Sequence, residues 1–141
     1  MDILYFKEKI KIKGKTAVVE VDDFVVITRS DGSTFQIEAP GEYEAGGVSV
    51  VCNLYEEKNL YVVEIEGLRI CVLLDLTGEK LTPEILDALG PIDICVGPNP
   101  DLAKQTDPWV VVTSGDEGLP KYSITKDKLP SDLQVVVLTS K

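Results

Sequence analysis

The residue best placed to do chemistry in this sequence is Asp75, which directly follows the apolar run Ile-Cys-Val-Leu-Leu. A carboxylate that leaves the end of a buried strand can bind a metal ion, act as a base, or accept hydrogen bonds from the backbone N–H groups of the next turn. Thr77 and Glu79 follow closely and would supply further oxygen atoms. Because Asp-Leu-Thr-Gly is also an ordinary turn sequence, the residues alone favour the turn-capping role.

Two further groups of polar residues lie in or after strand-like segments. Glu42 and Glu44 belong to the glycine-punctuated stretch 39–48, and on an extended segment both carboxylates would point the same way and could clamp a hard cation. A simple connection with glycine turns is the favoured interpretation of that stretch. Thr113 and Ser114 end another apolar run, but no base partner for Ser114 is visible, which gives a nucleophile little support.

The chain contains no histidine. Histidine is the commonest transition-metal ligand and the commonest general acid–base near neutral pH. Its absence excludes Ser-His-Asp and Cys-His machinery and any histidine-rich metal site. Cys52, Cys71 and Cys95 are odd in number, lie inside apolar runs and lack Cys-x-x-Cys spacing. They therefore predict reduced core residues rather than disulfides or a zinc site, and we expect no metal and no cofactor.

Charge and composition exclude further classes of function. The net charge of −10 argues against nucleic-acid binding, which depends on clustered Lys and Arg side chains. The lysines that do cluster alternate with apolar residues, which predicts the solvent face of one strand more strongly than an anion-binding stripe. They are Lys7, Lys9, Lys11, Lys13 and Lys15. A basic start and a long apolar segment are both missing, so we expect no signal peptide, no membrane span and a cytoplasmic location.

Strand signals dominate the chain, and its 141 residues suit one domain, residues 1–141. Strands are predicted at 3–13, 16–21, 24–28, 34–38, 48–54, 60–66, 68–74, 92–96, 109–113, 122–125 and 134–138. A helix is predicted from the cap Thr82 to Gly90, and a second, less marked one from Pro100 to Gln105. The N-terminal half consists of strands in which polar and apolar residues alternate, and the C-terminal half has strand–helix–strand order. Together they predict two sheets face to face with a helix on the outside.

Four stretches resemble signatures of the metallo-β-lactamase fold superfamily, in its Zn-dependent hydrolase-like branch. Residues 39–48 are similar to Gly-Pro-Gly-Glu-Tyr-Glu-x-x-Gly-Val, and residues 67–76 to Gly-Leu-Arg-Ile-Cys-His-Leu-Gly-Asp-Leu. Residues 91–98 resemble Val-Asp-Ile-Leu-Leu-Ile-Pro, and residues 108–115 resemble Pro-Lys-Ile-Val-Ile-Pro-Met-His. The resemblance runs from about Thr34 to the C-terminus. It implies an α/β (α+β) fold, a reduced αββα sandwich of two mainly antiparallel or mixed sheets with one or two short helices.

The resemblance also implies which ligands are missing. The family holds its metals through a His-x-His-x-Asp-His run, further histidines and a bridging aspartate, and the metals lower the pKa of a bound water. Arg29 stands where the run should begin, Val72 where the next histidine belongs, and Gly115 at the last histidine. Asp75, at the bridging position, is retained. The loop and helix that should follow residues 24–28 are replaced by an immediate hairpin.

These losses indicate a catalytically inactive protein that acts as a binding or assembly module. A lost helix layer should uncover apolar sheet surface, so we expect a homo-oligomer, most simply a dimer, or an unknown protein partner. Two alternatives stay open: a residual Mn/Mg-dependent hydrolase with a carboxylate site around Asp75, and non-catalytic binding of a small molecule in the old cleft. The candidate cleft residues are Glu42, Glu44, Thr77, Glu79, Thr113 and Ser114.

Overall fold

Two β-sheets packed face to face make up most of the structure, a computed structural model that describes residues 1–6, 9–55, 57–74 and 80–139. The first sheet has the strand order β12-β1-β2-β3-β4-β5, and every neighbouring pair in it is antiparallel. Its strands are β1 (Asp2–Phe6), β2 (Lys9–Lys13), β3 (Ala17–Val21), β4 (Val25–Arg29), β5 (Thr34–Ile37) and β12 (Tyr122–Ser123). The single strand predicted over residues 3–13 is wrong, because this segment forms the antiparallel pair β1–β2.

The second sheet has the order β13-β11-β10-β9-β8-β7-β6. Its strands are β6 (Gly41–Ala45), β7 (Val48–Tyr55), β8 (Lys58–Ile65), β9 (Leu68–Val72), β10 (Ile94–Val96), β11 (Val110–Gly115) and β13 (Gln134–Thr139). Strands β6 to β9 form an antiparallel meander, whereas β9, β10, β11 and β13 are parallel. The stretch 39–48, interpreted as a connection, contains strand β6 and a turn at Gly46 and Gly47, whose φ angles of 61° and 79° suit glycine.

Two short helices cover the outer face of the second sheet. Helix α1 (Pro83–Leu89) begins where the Thr82 hydroxyl accepts a hydrogen bond from the Ile85 N–H at 3.3 Å, as the sequence predicted. Helix α2 (Pro100–Lys104) is capped by Asn99, and a single 3-10 turn follows later at Lys126–Lys128. Leu81, Ile85, Leu89, Leu102 and Ala103 pack on Cys71, Cys95 and Val111 of the sheet. No helix in the described ranges is long and apolar enough to span a membrane.

The main core lies between the two sheets. Alternate residues of the first sheet, such as Ile10, Ile12 and Ile27, point inward and pack with Val63 and Ile70 of the second. All five are fully buried. The confirmed architecture is therefore two layers of sheet with one layer of helix over the described part of the second sheet, a reduced form of the αββα sandwich.

The outer face of the first sheet is the place where a lost helix layer was expected to leave apolar surface. Both described helices pack on the second sheet, so this face has no helix over it in the part of the chain that the structure describes. The register nevertheless gives it a mixed row in which Leu4, Lys11, Glu20, Val26 and Gln36 lie side by side. The expected apolar surface is present only in part on this face: Leu4 and Val26 lie among polar side chains that alternate outward along β2 and β5.

Candidate functional site

The carboxyl ends of three neighbouring parallel strands meet at one edge of the second sheet. The register places Val72 of β9 beside Val96 of β10, and Val96 beside Val112 of β11. Ligands of open α/β sheets bind beyond this end of parallel strands. We call this edge the strand-end site, defined by Leu73, Gly97, Thr113 and Ser114.

Gly97 draws the strand ends tightly together. Its N–H donates to the Val112 carbonyl at 3.0 Å, and the Leu73 N–H donates to the Val96 carbonyl at 2.8 Å. A Cβ atom added to Gly97 would lie 2.7 Å from the Leu73 carbonyl oxygen, which is closer than atoms pack. The ends of β9 and β10 are therefore in direct backbone contact, and only glycine fits between them.

The polar residues of this edge are modest in number. Thr113 is buried and Ser114 half-buried at the end of β11, and Ser114 lies beside Leu138 in the register. Asp75, Thr77 and Glu79 lie outside the described residues. In the described ranges, the strand-end site therefore consists of two hydroxyl groups on an otherwise apolar edge.

Glu42 and Glu44 are exposed on β6, at the opposite edge of the second sheet. Both carboxylates lie on one face, as alternation along an extended segment predicts. However, β6 is five inter-strand spacings from β11, or about 24 Å. The structure therefore does not bring these glutamates together with Thr113 and Ser114 in one cleft.

Arg29 lies at the other end of the sandwich from Val72. Tyr61, the register partner of Val72, donates its hydroxyl to the carbonyl of Asp23 at 3.1 Å, just before β4 begins. Arg29 ends β4, and its Cγ would lie 3.4 Å from a Cβ atom on Gly46, in the turn at the far end of the second sheet. Since β4 runs away from the strand-end site, the structure does not place the Arg29 position beside Val72.

Val72 and Gly115 are at the correct end and only one strand apart. Val72 ends β9 and is buried, and Gly115 ends β11, with β10 between the two strands. Two inter-strand spacings amount to about 10 Å across the sheet, and Gly115 lies three residues beyond Val112, which is level with Val72. An added Cβ on Gly115 would lie 2.8 Å from a Val137 side-chain methyl group. Two of the three positions taken for missing ligands thus share the strand-end edge.

The described titratable groups near the sheet do not offer a metal centre. Cys71 and Cys95 are register partners with no exposed surface, and a hydrogen bond with Cys95, reinforced by burial, raises the pKa of the Cys71 thiol. A raised pKa keeps this thiol neutral, whereas metal ligands and nucleophiles need the thiolate. All three cysteines are free and buried, as predicted. Over the described residues, no group of three or more His, Cys, Asp or Glu side chains is placed to hold a metal ion.

A cleft of about 290 Å³ lies away from this edge, on the outer face of the first sheet. Lysines 9, 11 and 13 of β2 contribute to its lining, together with Leu4 and Pro120. The lysine alternation was the sequence signal for this surface: these three lysines lie on the outward face of β2, and Lys7 lies outside the described residues. The sequence could not show that Pro120, more than 100 positions later, closes one side of the surface.

Comparisons with known proteins give the fold its identity. No protein-family model matches the chain, and no curated protein matches it. Among solved structures, the chain is similar to a crystal structure of a candidate Zn-dependent hydrolase of the metallo-beta-lactamase superfamily from Thermotoga maritima. The TM-score is 0.71 at 16% sequence identity, and the alignment covers 100% of both chains. At this identity the likeness shows the fold alone, so the chain has the metallo-β-lactamase fold, as its motifs implied.

Proposed function

We propose that this chain is a non-catalytic protein of the metallo-β-lactamase fold, which works by binding or assembling with other molecules. The observation that supports this proposal most directly is the complete absence of histidine from its 141 residues. The resemblance implies a chemistry that depends on several histidine ligands, and one aspartate cannot replace them. The fold would then be kept for its surfaces rather than for a metal-bound water.

The strand-end site supports the same proposal. Val72 and Gly115 offer no ligand atom from their side chains, and both stand at the carboxyl ends of parallel strands where ligands of such sheets bind. Gly97 and Leu73 close the gap between β9 and β10 with direct backbone contact. In its described residues this edge offers only hydroxyl oxygens among apolar side chains, which suits packing better than the binding of a hydrated cation.

Metal content is the decisive measurement for this proposal. Protein purified without a histidine tag is analysed for bound metal and then titrated calorimetrically with Zn²⁺ and with Mn²⁺. We expect no stoichiometric binding, and Asp75→Asn should behave like the wild type. Glu42→Gln is the matched control, since it removes one carboxylate at the remote edge of the second sheet. Tight stoichiometric binding that Asp75→Asn abolishes and Glu42→Gln preserves would contradict the proposal and favour the Mn/Mg hydrolase.

Assembly into a homodimer is the second part of the proposal. Trp109 and Val135 are 47% and 43% exposed, and Leu133 is 48% exposed. The Gln134 N–H donates to the Trp109 carbonyl at 3.0 Å, so these residues neighbour one another where β11 meets the edge strand β13. Leu133 to Leu138 carry no charge in a chain of net charge −10, so two copies can approach here without like-charge repulsion.

Sedimentation velocity at micromolar concentration tests the dimer. We expect the wild type to sediment as a dimer and Trp109→Ser to shift it toward monomer, because tryptophan anchors dominate such contacts. Leu54→Ser is the matched control: Leu54 is 61% exposed on β7, near the opposite edge of the sheet. A wild-type monomer, or equal dissociation by both substitutions, would count against assembly through this surface.

A further inference from the structure

The cleft on the first sheet forms where one of its strands loses its neighbour. Strand β1 runs from Asp2 to Phe6, whereas β12 pairs only with Asp2 and Ile3. Beyond that point no strand of the described residues pairs with the outer edge of β1, and the cleft of about 290 Å³ lies beside it. Leu4 lines the cleft from β1, and Pro120 and Thr139 line it from the C-terminal part of the chain. The cleft therefore combines a face of the first sheet with residues from the C-terminal part of the chain, of which Thr139 belongs to the second sheet.

Three ammonium groups line one side of this cleft. Lys9, Lys11 and Lys13 alternate along β2 and extend from its outward face, while Ile10 and Ile12 point into the core. The Lys9 ammonium lies 3.6 Å from a Glu20 carboxylate oxygen and 4.0 Å from one of Asp22. Lys11 and Lys13, by contrast, have no ion-pair partner among the residues that the structure describes.

Two lysines with no ion pair within 4.0 Å among the described residues are notable in a chain with a net charge of −10, although Glu20 is the register partner of Lys11. Solubility does not require them, because the surplus of carboxylates already keeps the protein highly charged. Lys11 and Lys13 are two positions apart on one strand face, so their Cα atoms are about 6.6 Å apart and both ammonium groups can reach a single polyatomic anion. Leu4, register partner of Lys11, supplies apolar surface next to them.

We propose that Lys11 and Lys13 bind the phosphate group of a small phosphorylated ligand in this cleft. Lysine acts on phosphate as a point charge, and several ammonium groups together compete well with water for a dianion. A volume of about 290 Å³ is at the lower end of small-molecule sites, which suits a compact ligand with an apolar part over Leu4. Glu20 lines the same cleft and weakens the site, because it holds the Lys9 ammonium and adds negative charge.

Phenyl phosphate and inorganic phosphate are the two probes for this site, titrated by NMR or calorimetry at about 0.1 M salt. We expect the double variant Lys11→Gln/Lys13→Gln to bind phenyl phosphate at least about tenfold more weakly than the wild type, since charged hydrogen bonds are the strong ones. Glu20→Gln should bind it several-fold more tightly, because it removes a negative charge from the cleft and one of the two ion-pair partners of Lys9. Lys58→Gln is the matched control, an exposed lysine on β8 of the second sheet, and should leave the affinity unchanged.

The outcomes of this titration distinguish a specific phosphate site from nonspecific electrostatic attraction. No binding of either probe by the wild type at millimolar concentration overturns the proposal, as does equal weakening by Lys58→Gln and by the double variant. Binding of both probes with equal affinity supports the phosphate site but identifies free phosphate as its ligand; tighter binding of phenyl phosphate supports an organic phosphate. The proposal does not depend on the strand-end site, so the metal titration and this titration can fail separately.

Discussion

Replacing Gly97 with alanine tests the claim that the ends of β9 and β10 are in direct backbone contact. The new Cβ would lie 2.7 Å from the Leu73 carbonyl oxygen and 3.3 Å from Leu73 Cβ. A comfortable carbon–oxygen contact is about 3.3 Å or more, so the strand ends must separate by about half an ångström. That movement strains the hydrogen bond from the Leu73 N–H to the Val96 carbonyl and the one from the Gly97 N–H to Val112.

The expected cost follows from these two effects. Overpacking a rigid site costs about 1–3 kcal/mol, and each weakened buried hydrogen bond adds up to about 1 kcal/mol. Alanine also lowers the conformational entropy of the unfolded chain, which offsets this loss of stability by about 0.4–1 kcal/mol. We therefore expect Gly97→Ala to lower the free energy of unfolding by about 2–4 kcal/mol, measured by urea denaturation with an unchanged m-value.

Gly14→Ala is the matched control for this substitution. A Cβ there would lie 2.6 Å from Ile65 Cδ1 and 2.7 Å from a Glu66 carboxylate oxygen, which are the ends of side chains, and its nearest backbone atom would be the Ala17 carbonyl oxygen at 3.3 Å. Neither glycine has the positive φ that would strain alanine by itself. We expect Gly14→Ala to change stability by about 1 kcal/mol or less. If both variants lost the same stability, or Gly97→Ala lost none, the backbone-contact argument would be refuted.

Two further predictions concern side chains that hold the sandwich together. The Arg69 guanidinium donates to the carbonyls of Leu89, the last residue of helix α1, at 2.8 Å and of Pro91 at 2.7 Å. Arg69→Ala should lower the free energy of unfolding by about 1–3 kcal/mol, and Arg69→Lys should recover only part of it because an ammonium lacks the planar fork of donors. Full recovery in Arg69→Lys would show that charge alone matters. Burial raises the pKa of Tyr61 from 10 to about 12, so the unfolded state ionises first and stability falls as pH rises from 10 to 12, by about 2 kcal/mol at most. Tyr61→Phe should show a correspondingly flatter profile in urea titrations, and parallel profiles would contradict the assignment.

Local signals in the sequence were sufficient to predict turns and helix ends where one residue type controls the backbone conformation. Gly32 lies between β4 and β5 and Gly67 between β8 and β9, with φ angles of 87° and 78° that suit glycine in a tight turn. Thr82 caps α1 through its hydroxyl, and Gly90 with a φ of 68° follows its last residue. The same approach failed between Phe6 and Lys9, where β1 gives way to β2 without a glycine, proline or asparagine in the sequence.

The candidate site was less predictable because its geometry depends on strand direction and strand order. The apolar pattern identifies β4 as a strand but does not say which way it runs, and its antiparallel pairing with β3 takes Arg29 to the wrong end for a ligand. The spacing of Glu42 and Glu44 predicts a shared face correctly. The same spacing contains no information about the four strands that separate β6 from β11. Long-range pairing sets these positions, and no local residue pattern encodes it.

The pairing of β12 with β1 has a consequence for the order of folding. Residues 2–37 make five of the six strands of the first sheet through local antiparallel neighbours, and residues 41–72 make four strands of the second in the same way. The pair Asp2 and Ser123, joined by a side-chain hydrogen bond of 2.6 Å, instead closes a loop of 121 residues. Loop closure on that scale is slow compared with hairpin formation. During synthesis the N-terminal strands can assemble while β12 is still unmade, and pulse-labelled hydrogen exchange should find the β12 amides among the last to be protected.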